Sequence, residues 1–367
     1  MADEALANWL RLTLIPGIGG RTQRKLLAEF GLPEAIFAAG YRALCTVTDD
    51  KTARLLLETD TASEVAQAQA WATGDHQCII TLADPEYPRA LLEIPDPPTL
   101  LYVRGRTDLL SRPAIAIVGS RNPTPQGILN AESFAASLNE SGLVIVSGLA
   151  LGIDAAAHRG ALAAQGNTIA FIGTGIDRTY PARNQELAHE IGTKGTIVSD
   201  FPIGTPAIAS NFPRRNRMIS GISRGVLVVE AAVESGSLIT ARLAVEQGRD
   251  VFAIPGSIHS PQAKGCHKLI KQGAKLVETA QDILEELGWT AQFPQGITTT
   301  ATPVQDSDHL PDRQKLLLQM GFDPCRLDDL LARSGLPADV LSVLLLHLEL
   351  EGTIASLPGN CYQQLRK

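Results

Sequence analysis

The chain has 367 residues, of which 44% are hydrophobic and 19% are charged, and its formal net charge is -7. This length suggests two or three domains, and the composition is that of a globular protein with a substantial core. A net negative chain does not coat nucleic acid through bulk charge, which leaves a focused basic groove as the route to such a partner.

Residues 1–75 predict a small all-α domain. Helical spacing of apolar residues indicates helices at 6–14, 22–30, 32–38, 41–44 and 49–72. The first two flank Pro16-Gly17-Ile18-Gly19-Gly20, the pattern of a helix-hairpin-helix, whose free helix-start amides can face a DNA phosphate. A tight turn in a helical bundle explains the same residues, and both interpretations stay open.

Residues 76–290 predict an α/β domain. Prolines at 85, 88, 95, 97 and 98 indicate an extended connector, after which apolar strands alternate with helices. Strands that are apolar throughout and separated by helices are typical of a parallel sheet covered on both faces. We therefore predict a Rossmann-like doubly wound sheet. Its predicted strands are 114–118, 143–147, 168–172, 196–199, 225–229, 250–254 and 275–277, and its helices include 127–139, 153–164, 181–191, 237–247 and 266–272.

A linker is predicted at 291–308, where Thr, Gln and Pro are frequent, and a further domain at 309–367. Helices at 313–320, 327–333 and 338–351, followed by a hairpin of 352–355 with 361–363, indicate a winged helix. The third helix is apolar and lacks Arg and Lys. We therefore favour packing or protein contact for it over DNA reading, with a transcription regulator acting through this domain as an alternative.

Glycine and hydroxyl residues follow four of the predicted strands. Ligands of a doubly wound sheet bind beyond the carboxyl ends of its strands, glycine lets a phosphate approach the backbone, and the next helix presents free N–H groups. One such turn is ordinary, but four at one edge predict a phosphate-binding surface. The turns are Gly119-Ser120-Arg121, Ser147-Gly148-Leu149-Ala150-Leu151-Gly152-Ile153-Asp154, Gly173-Thr174-Gly175-Ile176-Asp177 and Glu234-Ser235-Gly236-Ser237.

A basic cluster stands out in this acidic chain. The segment Phe212-Pro213-Arg214-Arg215-Asn216-Arg217-Met218-Ile219-Ser220 has three arginines within four residues. Guanidinium groups bind phosphate through a rigid fork of donors and keep their charge, and Phe212 adds a face on which a base can stack. The segment therefore predicts a nucleic-acid site. A second basic group at helical spacing is either a solvated helix face or a further phosphate contact: Lys264, His267, Lys268, Lys271 and Lys275.

The patterns of common nucleotide enzymes do not fit. A dinucleotide site requires Gly-x-Gly-x-x-Gly after the first strand, where this chain has Gly119-Ser120-Arg121-Asn122-Pro123, and there is no Walker lysine motif. Asp154 and His158 share a helix face as an acid–base pair or, as we favour, a helix cap and a structural histidine. We expect Glu230 to anchor the loop at Ser235-Gly236-Ser237 rather than to act in catalysis. We predict neither catalysis nor a cofactor.

The five cysteines, at positions 45, 78, 266, 325 and 361, are scattered. A zinc site needs clustered ligands, and Cys266-His267 with His259 is the nearest approach to one; we interpret these as ordinary core and loop residues. No apolar run reaches the roughly 20 residues of a membrane helix, and the N-terminus lacks a signal-peptide pattern. The expected location is the cytoplasm.

These motifs as a set resemble the DNA-processing protein A (DprA/Smf) family, over most of the chain. One departure is Gly265-Cys266-His267, where the family usually has Gly-x-Asn, so that a titratable side chain stands in place of a neutral amide. The motifs that carry the resemblance are Gly119-Ser120-Arg121, the segment from Ser147 to Asp154 with His158, the segment from Phe212 to Ser220, Glu230 with Ser235-Gly236-Ser237 and Thr240-Ala241, and Pro255-Gly256.

The resemblance implies a sequence-independent single-stranded DNA-binding protein of natural transformation, and not an enzyme, that protects incoming strands and loads the RecA recombinase. It implies a homodimer formed through the Rossmann-like domain, a sterile-alpha-motif-like N-terminal domain and a winged-helix C-terminal domain. The residues that we expect to bind DNA are Ser120, Arg121, Gly148, Phe212, Arg214, Arg215, Arg217, Ser235, Gly236, Lys268 and Lys271.

An enzyme on the same fold is the alternative, namely a nucleotide phosphoribohydrolase resembling the cytokinin-activating, lysine-decarboxylase-like family. That family uses a strand-end glutamate and a Pro-Gly-Gly-x-Gly-Thr loop. Glu230 ends a strand, but Glu234-Ser235-Gly236-Ser237 precedes the late helix and Pro255-Gly256-Ser257 lies elsewhere. Release of base from nucleoside monophosphates that depends on Glu230 would distinguish this enzyme from a DNA-binding protein.

Overall fold

The structure is a computed structural model that describes residues 2–289 and 312–366, so the predicted linker at 291–308 lies outside the described residues. Its first part is a helical bundle with a core that includes Leu12, Ile15, Leu26 and Leu56. Trp9 belongs to a further cluster that includes residues of the central sheet, so the bundle packs on that sheet. The helices are α1 (Ala2–Leu14), α2 (Gly20–Phe30), α3 (Pro33–Ala38), α4 (Tyr41–Leu44), α5 (Asp50–Glu58) and α6 (Ala62–Ala72).

The expectation of one continuous helix over 49–72 is wrong, because α5 and α6 are separate. The Asp60 carboxylate accepts a hydrogen bond from the backbone N–H of Ala62 at 2.9 Å. A short acidic side chain that bonds to the backbone two residues on favours a turn over a continuing helix. The break therefore begins where the chain offers this local alternative.

Nine strands form one central sheet, in the order β1-β2-β6-β5-β4-β3-β7-β8-β9. From β6 to β9 each neighbouring pair is parallel, which confirms the predicted doubly wound parallel sheet. The strands are β1 (Gln77–Thr81), β2 (Leu100–Gly105), β3 (Ala114–Val118), β4 (Val144–Ser147), β5 (Thr168–Phe171), β6 (Thr196–Ser199), β7 (Gly225–Val228), β8 (Asp250–Ala253) and β9 (Lys275–Leu276).

The connector predicted from the prolines is flanked by two strands of this sheet that the sequence did not predict. β1 pairs antiparallel with β2, and β2 pairs antiparallel with β6. The prolines at 85, 88, 95, 97 and 98 all lie in the segment between β1 and β2. Proline is tolerated there because that segment forms no ladder hydrogen bonds.

Helices cover both faces of the sheet, as the alternation along β3 shows. Ala114 and Ala116 belong to a cluster with Met218 and Ile219 of the helix Asn211–Ile222, while Ile115 and Ile117 pack with the helix Pro125–Glu140 that follows β3. Both faces are therefore buried. The helices are α7 (Arg89–Leu92), α8 (Pro125–Glu140), α9 (Ile153–Ala163), α10 (Gln185–Lys194), α11 (Asn211–Ile222), α12 (Ser237–Glu246), α13 (Lys264–Lys271) and α14 (Ala280–Glu286), with 3₁₀ turns at Thr107–Ser111, Ala182–Asn184 and Pro261–Ala263.

The C-terminal part has the predicted three helices and hairpin around its own core, which includes Leu316, Leu341 and Leu348. Among the described residues, no single helix has the length and apolar character to cross a membrane; one bent pair, Leu327–Ser334 with Ala338–Leu350, meets that test only when the two are joined across a bend of 115°. The elements are α15 (Asp312–Met320), β10 (Cys325–Arg326), α16 (Leu327–Ser334), α17 (Ala338–Leu350), β11 (Ile354–Leu357) and β12 (Cys361–Gln364).

Candidate nucleic-acid interface

The order of the parallel strands reverses at β3. Strands β4, β5 and β6 extend the sheet on one side of β3, and β7, β8 and β9 extend it on the other. The turn after β3 leads to α8 on one face, and the turn after β7 leads to α12 on the other. Such a reversal separates the two turns and opens a crevice beyond the strand ends. A groove of about 790 Å³ lies here, which we call the switch-point groove.

An exposed cation and two aromatic rings form one wall of this groove. The guanidinium carbon of Arg121 lies 5.9 Å from the ring centre of Phe212. The ring of Tyr180 lies 5.6 Å from that of Phe212, tilted by 41°, and Tyr180 is 48% exposed. Within the described chain Arg121 has no ion-pair partner. The wall therefore offers an unpaired charge beside surfaces on which bases can stack.

Tyr180 was missed by the sequence analysis. It follows β5 in a turn that begins at Gly173 and ends at Pro181. The only available signal was an aromatic residue in a turn at the carboxyl end of a strand, which is weak by itself.

The opposite wall is the start of α12. Ser235 and Gly236 both line the groove, and the first turn of the helix contains no acidic residue. The N–H groups of Ser237, Leu238 and Ile239 are already bonded to Ser235 or Gly236, whereas the Gly236 N–H has no partner among the described residues and lies at the positive end of the helix dipole. Ser120 is 8% exposed, and its hydroxyl accepts a hydrogen bond from the backbone N–H of Asn122 at 3.1 Å. It therefore shapes the turn that carries Arg121.

Arg215 closes the floor of the groove and is only 4% exposed. Its Nη1 donates to the carbonyls of Gly148 and Phe171. Burial lowers the pKa of Arg215 to about 10, which the Asp154 carboxylate opposes. Gly148 does not border the groove. A Cβ at this position would lie 2.5 Å from Nη1 of Arg215. Glycine at this position lets the buried arginine approach the backbone.

Arg214 and Arg217 point to a different cleft, between α11 and the N-terminal bundle. Arg217 is 9% exposed and pairs with Asp200 at 2.6 Å. The side chain of Arg214 is 52% exposed and lies 3.5 Å from the same carboxylate. The predicted arginine cluster thus divides between two sites on opposite sides of one helix.

Lys268 and Lys271 are exposed on α13 and border a separate cleft of about 500 Å³ with Lys264 and Ile258. His267, where the resembled family usually has Asn, places Nε2 3.0 Å from the carbonyl oxygen of Gly256. The structure therefore keeps this lysine group apart from the switch-point groove.

Cys266 is a core residue. It is 0% exposed, and its thiol lies 3.6 Å and 3.7 Å from the carbonyl oxygens of Val228 and Val229. Over the described ranges, no group of three or more His, Cys, Asp or Glu side chains is placed to hold a metal ion. The interpretation of Cys266 as a core position agrees with this environment.

Glu230 anchors a different turn from the one that we expected. Its carboxylate accepts hydrogen bonds from Thr124 N at 2.9 Å and from Thr124 Oγ1 at 2.6 Å. Burial raises the pKa of Glu230, and the Thr124 hydrogen bonds oppose this. Glu230 therefore joins the end of β7 to the start of α8, and the expectation that it holds the Ser235-Gly236-Ser237 loop is wrong.

Asp154 and His158 do not form an acid–base pair. Asp154 accepts backbone hydrogen bonds from Gly148 at 3.1 Å and from Ala150 at 3.4 Å. His158 is fully buried, and its Nδ1 lies 2.7 Å from Thr168 Oγ1. His158 is therefore a structural residue, as expected. The expectation that Asp154 caps the helix is wrong, because Gly152 is the N-cap residue and Asp154 instead holds the amides of the loop that precedes α9.

The protein is thus a Rossmann-like α/β protein with two mainly helical additional parts. These are the N-terminal helical bundle and the C-terminal three-helix domain with its hairpin. The family model for DNA recombination-mediator protein A matches residues 78–288, and that for the DprA winged helix domain matches residues 299–360. Protein Smf of Synechocystis sp. is 35% identical over 99% of this chain and 100% of its own length.

Two solved structures are similar to this one. The X-ray structure of DNA processing protein A from Streptococcus pneumoniae has a TM-score of 0.68 at 38% identity, over 76% of this chain and 97% of that one. A structure that describes the single-stranded DNA binding mode of DNA processing protein A from Helicobacter pylori has a TM-score of 0.52 at 33% identity, over 57% and 95%. The chain belongs to the DNA-processing protein A (DprA/Smf) family, and its C-terminal domain is a winged helix.

Proposed function

We propose that this protein binds single-stranded DNA in the switch-point groove without sequence preference and catalyses no reaction. It acts in natural transformation in the cytoplasm as a homodimer, protects incoming strands and loads a RecA-type recombinase. Family membership supports the transformation, recombinase and dimer parts of this proposal. The groove supports the DNA-binding part.

The observation that carries the DNA-binding part is the wall formed by Arg121, Phe212 and Tyr180. Binding without sequence preference needs a cation for the backbone and flat faces for the bases, because every base has a π-face. Across the groove, the free Gly236 N–H at the positive end of the α12 dipole adds a donor for a phosphate. These features contact the parts of DNA that do not vary with sequence.

The position of Glu230 favours binding over catalysis. Both carboxylate oxygens accept hydrogen bonds from Thr124, and the side chain does not border the groove. A general base must reach the reacting atom within hydrogen-bond distance. Glu230 is therefore placed for support of the turn that carries Arg121.

Arg121→Ala tests the site. We expect the substitution to weaken binding of oligothymidylate by roughly 1–3 kcal/mol, the scale of a hydrogen bond to a charged group. The slope of log affinity against log salt should also become shallower by about 0.7, the value for one neutralised phosphate on a single strand. Fluorescence anisotropy at several salt concentrations measures both quantities.

Arg242→Ala is the matched control, since Arg242 is exposed on α12 away from the groove and pairs only weakly with Glu246 at 3.8 Å. Equal affinities of the Arg121→Ala and Arg242→Ala variants would show that the site is wrongly assigned. Release of base from nucleoside monophosphates, abolished by Glu230→Gln, would establish the alternative phosphoribohydrolase instead. The recombinase part is tested separately, by RecA filament assembly on single strands with and without this protein.

A further inference from the structure

A second basic cleft lies on the other side of α11. It has a volume of about 1010 Å³ and is bordered by the hairpin between α1 and α2, the segment before β2, and α11. We call it the bundle cleft. Its charged lining residues are Arg21, Arg24, Arg214 and Arg217 against Asp96 and Asp200.

The carboxylates of the bundle cleft do not balance its arginines. Arg24 pairs with Asp96 at 2.5 Å, whereas Arg214 and Arg217 both approach one oxygen of Asp200. Arg21 is exposed and has no ion-pair partner in the described chain. Four guanidinium groups face two carboxylates, so the lining has an excess of positive charge that favours an anionic occupant.

A buried donor in this lining lacks an acceptor. Arg217 is 9% exposed, and its Nε forms no hydrogen bond to any described residue. The nearest carboxylate oxygen, Asp96 Oδ2, lies 3.4 Å away, close enough for an ion pair but without hydrogen-bond geometry. A buried donor left unsatisfied costs free energy. Arg217 borders the cleft, but its Nε is shielded from solvent, so an anion in the cleft would interact with the charge of this guanidinium rather than with Nε.

The hairpin supplies donors from the opposite side. Helix α2 begins at Gly20 after Gly19, and it has neither a side-chain cap nor an acidic residue in its first turn. Its first amides are therefore free and lie at the positive end of the helix dipole. Gly19, Gly20 and Arg21 all border the cleft.

Helix α11 is the wall common to both sites. It presents Phe212 and Arg215 to the switch-point groove, and Arg214 and Arg217 to the bundle cleft. The two sites are thus separated by one helix, about 10 Å across. Arg214 is half exposed, with its guanidinium carbon 5.1 Å from the ring centre of Phe201. It provides an exposed cation on the helix that separates the two sites.

We propose that the bundle cleft holds a second segment of the same single-stranded DNA, bound through its phosphate backbone and continuous with the segment in the switch-point groove past Arg214. This inference rests on the proposed function. The polynucleotide is favoured over an acidic peptide because both sites are bordered by α11, so that a strand held in one site is one helix diameter from the other. The N-terminal bundle is thereby part of the DNA site.

The test compares the full-length parent with Arg21→Glu, using oligothymidylates of about 6 and about 25 nucleotides, within and beyond the span of a compact single-strand site. We expect Arg21→Glu to weaken binding of the long strand by about tenfold. The slope of log affinity against log salt should become shallower by about 0.7 for each phosphate that is no longer neutralised. The affinity for the short strand should not change. Arg42→Glu is the control, since Arg42 is exposed on the same bundle and does not border the cleft.

Equal effects of Arg21→Glu and Arg42→Glu on the long strand would overturn the inference. So would a loss of duplex binding by Arg21→Glu without loss of long single-strand binding, since the cleft would then hold a duplex. Arg214→Gln is a second variant, and we expect it to weaken binding of the long strand more than binding of the short one. If the parent binds neither strand, or if Arg121→Ala has no effect, the proposed function fails. If Arg121→Ala weakens binding of both strands while Arg21→Glu changes the affinity for neither, the proposed function stands and only the proposed second DNA segment in the bundle cleft is wrong.

Discussion

Arg215 holds a positive charge where water barely reaches it. Its guanidinium donates to the carbonyls of Gly148 and Phe171, and Nε donates to Asn216 Oδ1 at 3.2 Å. Removing one member of such a buried charged group leaves the remaining polar groups uncompensated, typically at about 3–5 kcal/mol. A loss of DNA binding in Arg215→Ala would therefore report on the fold as well as on the groove. Arg121 is exposed, so its substitution tests the groove without the same effect on stability.

His158 predicts a pH dependence of stability. Burial, with smaller effects from Arg215 and Arg159, lowers its pKa from 6.5 to about 3. The unfolded chain takes up a proton on this residue below about pH 6.5, and the folded chain does so only near pH 3. Since the unfolded state binds more protons in that window, the contribution of His158 is fully present above about pH 6.5 and falls by about 2 kcal/mol between pH 7 and pH 5.

Urea unfolding of the parent and His158→Asn at both pH values measures this effect. The variant keeps a polar group near Thr168 Oγ1 but does not titrate, so its stability should fall less on acidification, even if it is lower throughout. Parallel pH profiles of parent and variant would show that His158 is protonated in the fold near its ordinary pKa.

The residue types of the site could be predicted from the sequence, but their separate roles could not. The sequence predicts one cluster of Arg214, Arg215 and Arg217 because they lie within four residues. A helix turns about 100° per residue, so adjacent positions face different surroundings. Whether a guanidinium contacts solvent or the fold depends on distant partners, here Asp200 and Phe171, which a single sequence does not connect to it.

At the level of elements, α11 makes the arrangement possible. Pro213 lies in its first turn, where the missing N–H removes no intrahelical bond, and the helix packs against α12 and the sheet through Met218 and Ile219. Strands β3 to β7 were predictable because they are fully buried, and fully buried strands are apolar in nearly every position. β1 and β2 were not, since the prolines between them obscured two short apolar runs that only pairing with β6 identifies as strands.

Glu230 gives a prediction at this scale. Glu230→Ala removes both acceptors for Thr124, so we expect stability to fall by about 1–2 kcal/mol, the scale of a helix cap and its hydrogen bond. The turn that carries Arg121 loses its anchor, so oligothymidylate binding should weaken although Glu230 does not line the groove. Urea unfolding and anisotropy measure the two effects.

Glu230→Gln provides the conservative comparison, because its side-chain oxygen still accepts a hydrogen bond from Thr124. It should lie between the parent and Glu230→Ala in both assays. Unchanged DNA affinity in Glu230→Ala, together with the expected loss of stability, would show that the anchor does not set the position of Arg121.

At the scale of the whole molecule, the helical bundle, the α/β sheet and the winged helix could be predicted from local periodicity. The packing of the bundle against the sheet could not. Trp9 and Leu10 pack in one cluster with Leu100 and Tyr102 of β2, so the bundle is attached to the sheet through an edge that the sequence analysis did not recognise as strands. The bundle cleft exists only because of this attachment. The domain boundaries at 75/76, 290/291 and 308/309 stay predictions.

Removal of residues 309–367 tests both the last boundary and the location of DNA binding. All residues that border the switch-point groove and the bundle cleft precede residue 263, and the C-terminal domain has its own core. The exposed surface of α17 is apolar at Val343, Leu346 and Leu350, which are 54%, 55% and 77% exposed, and such a surface offers no cation to a phosphate backbone.

We therefore expect the chain 1–308 to unfold cooperatively and to bind oligothymidylate within about twofold of the full-length protein, since every proposed phosphate-binding residue is retained. Its salt slope should also be unchanged. A loss of affinity with a shallower slope would place cations of the C-terminal domain on the DNA. Sequence-specific duplex binding by 309–367 alone would favour the transcription-regulator alternative, because specificity for a duplex requires contacts to base edges or to duplex shape that the switch-point groove is not expected to make.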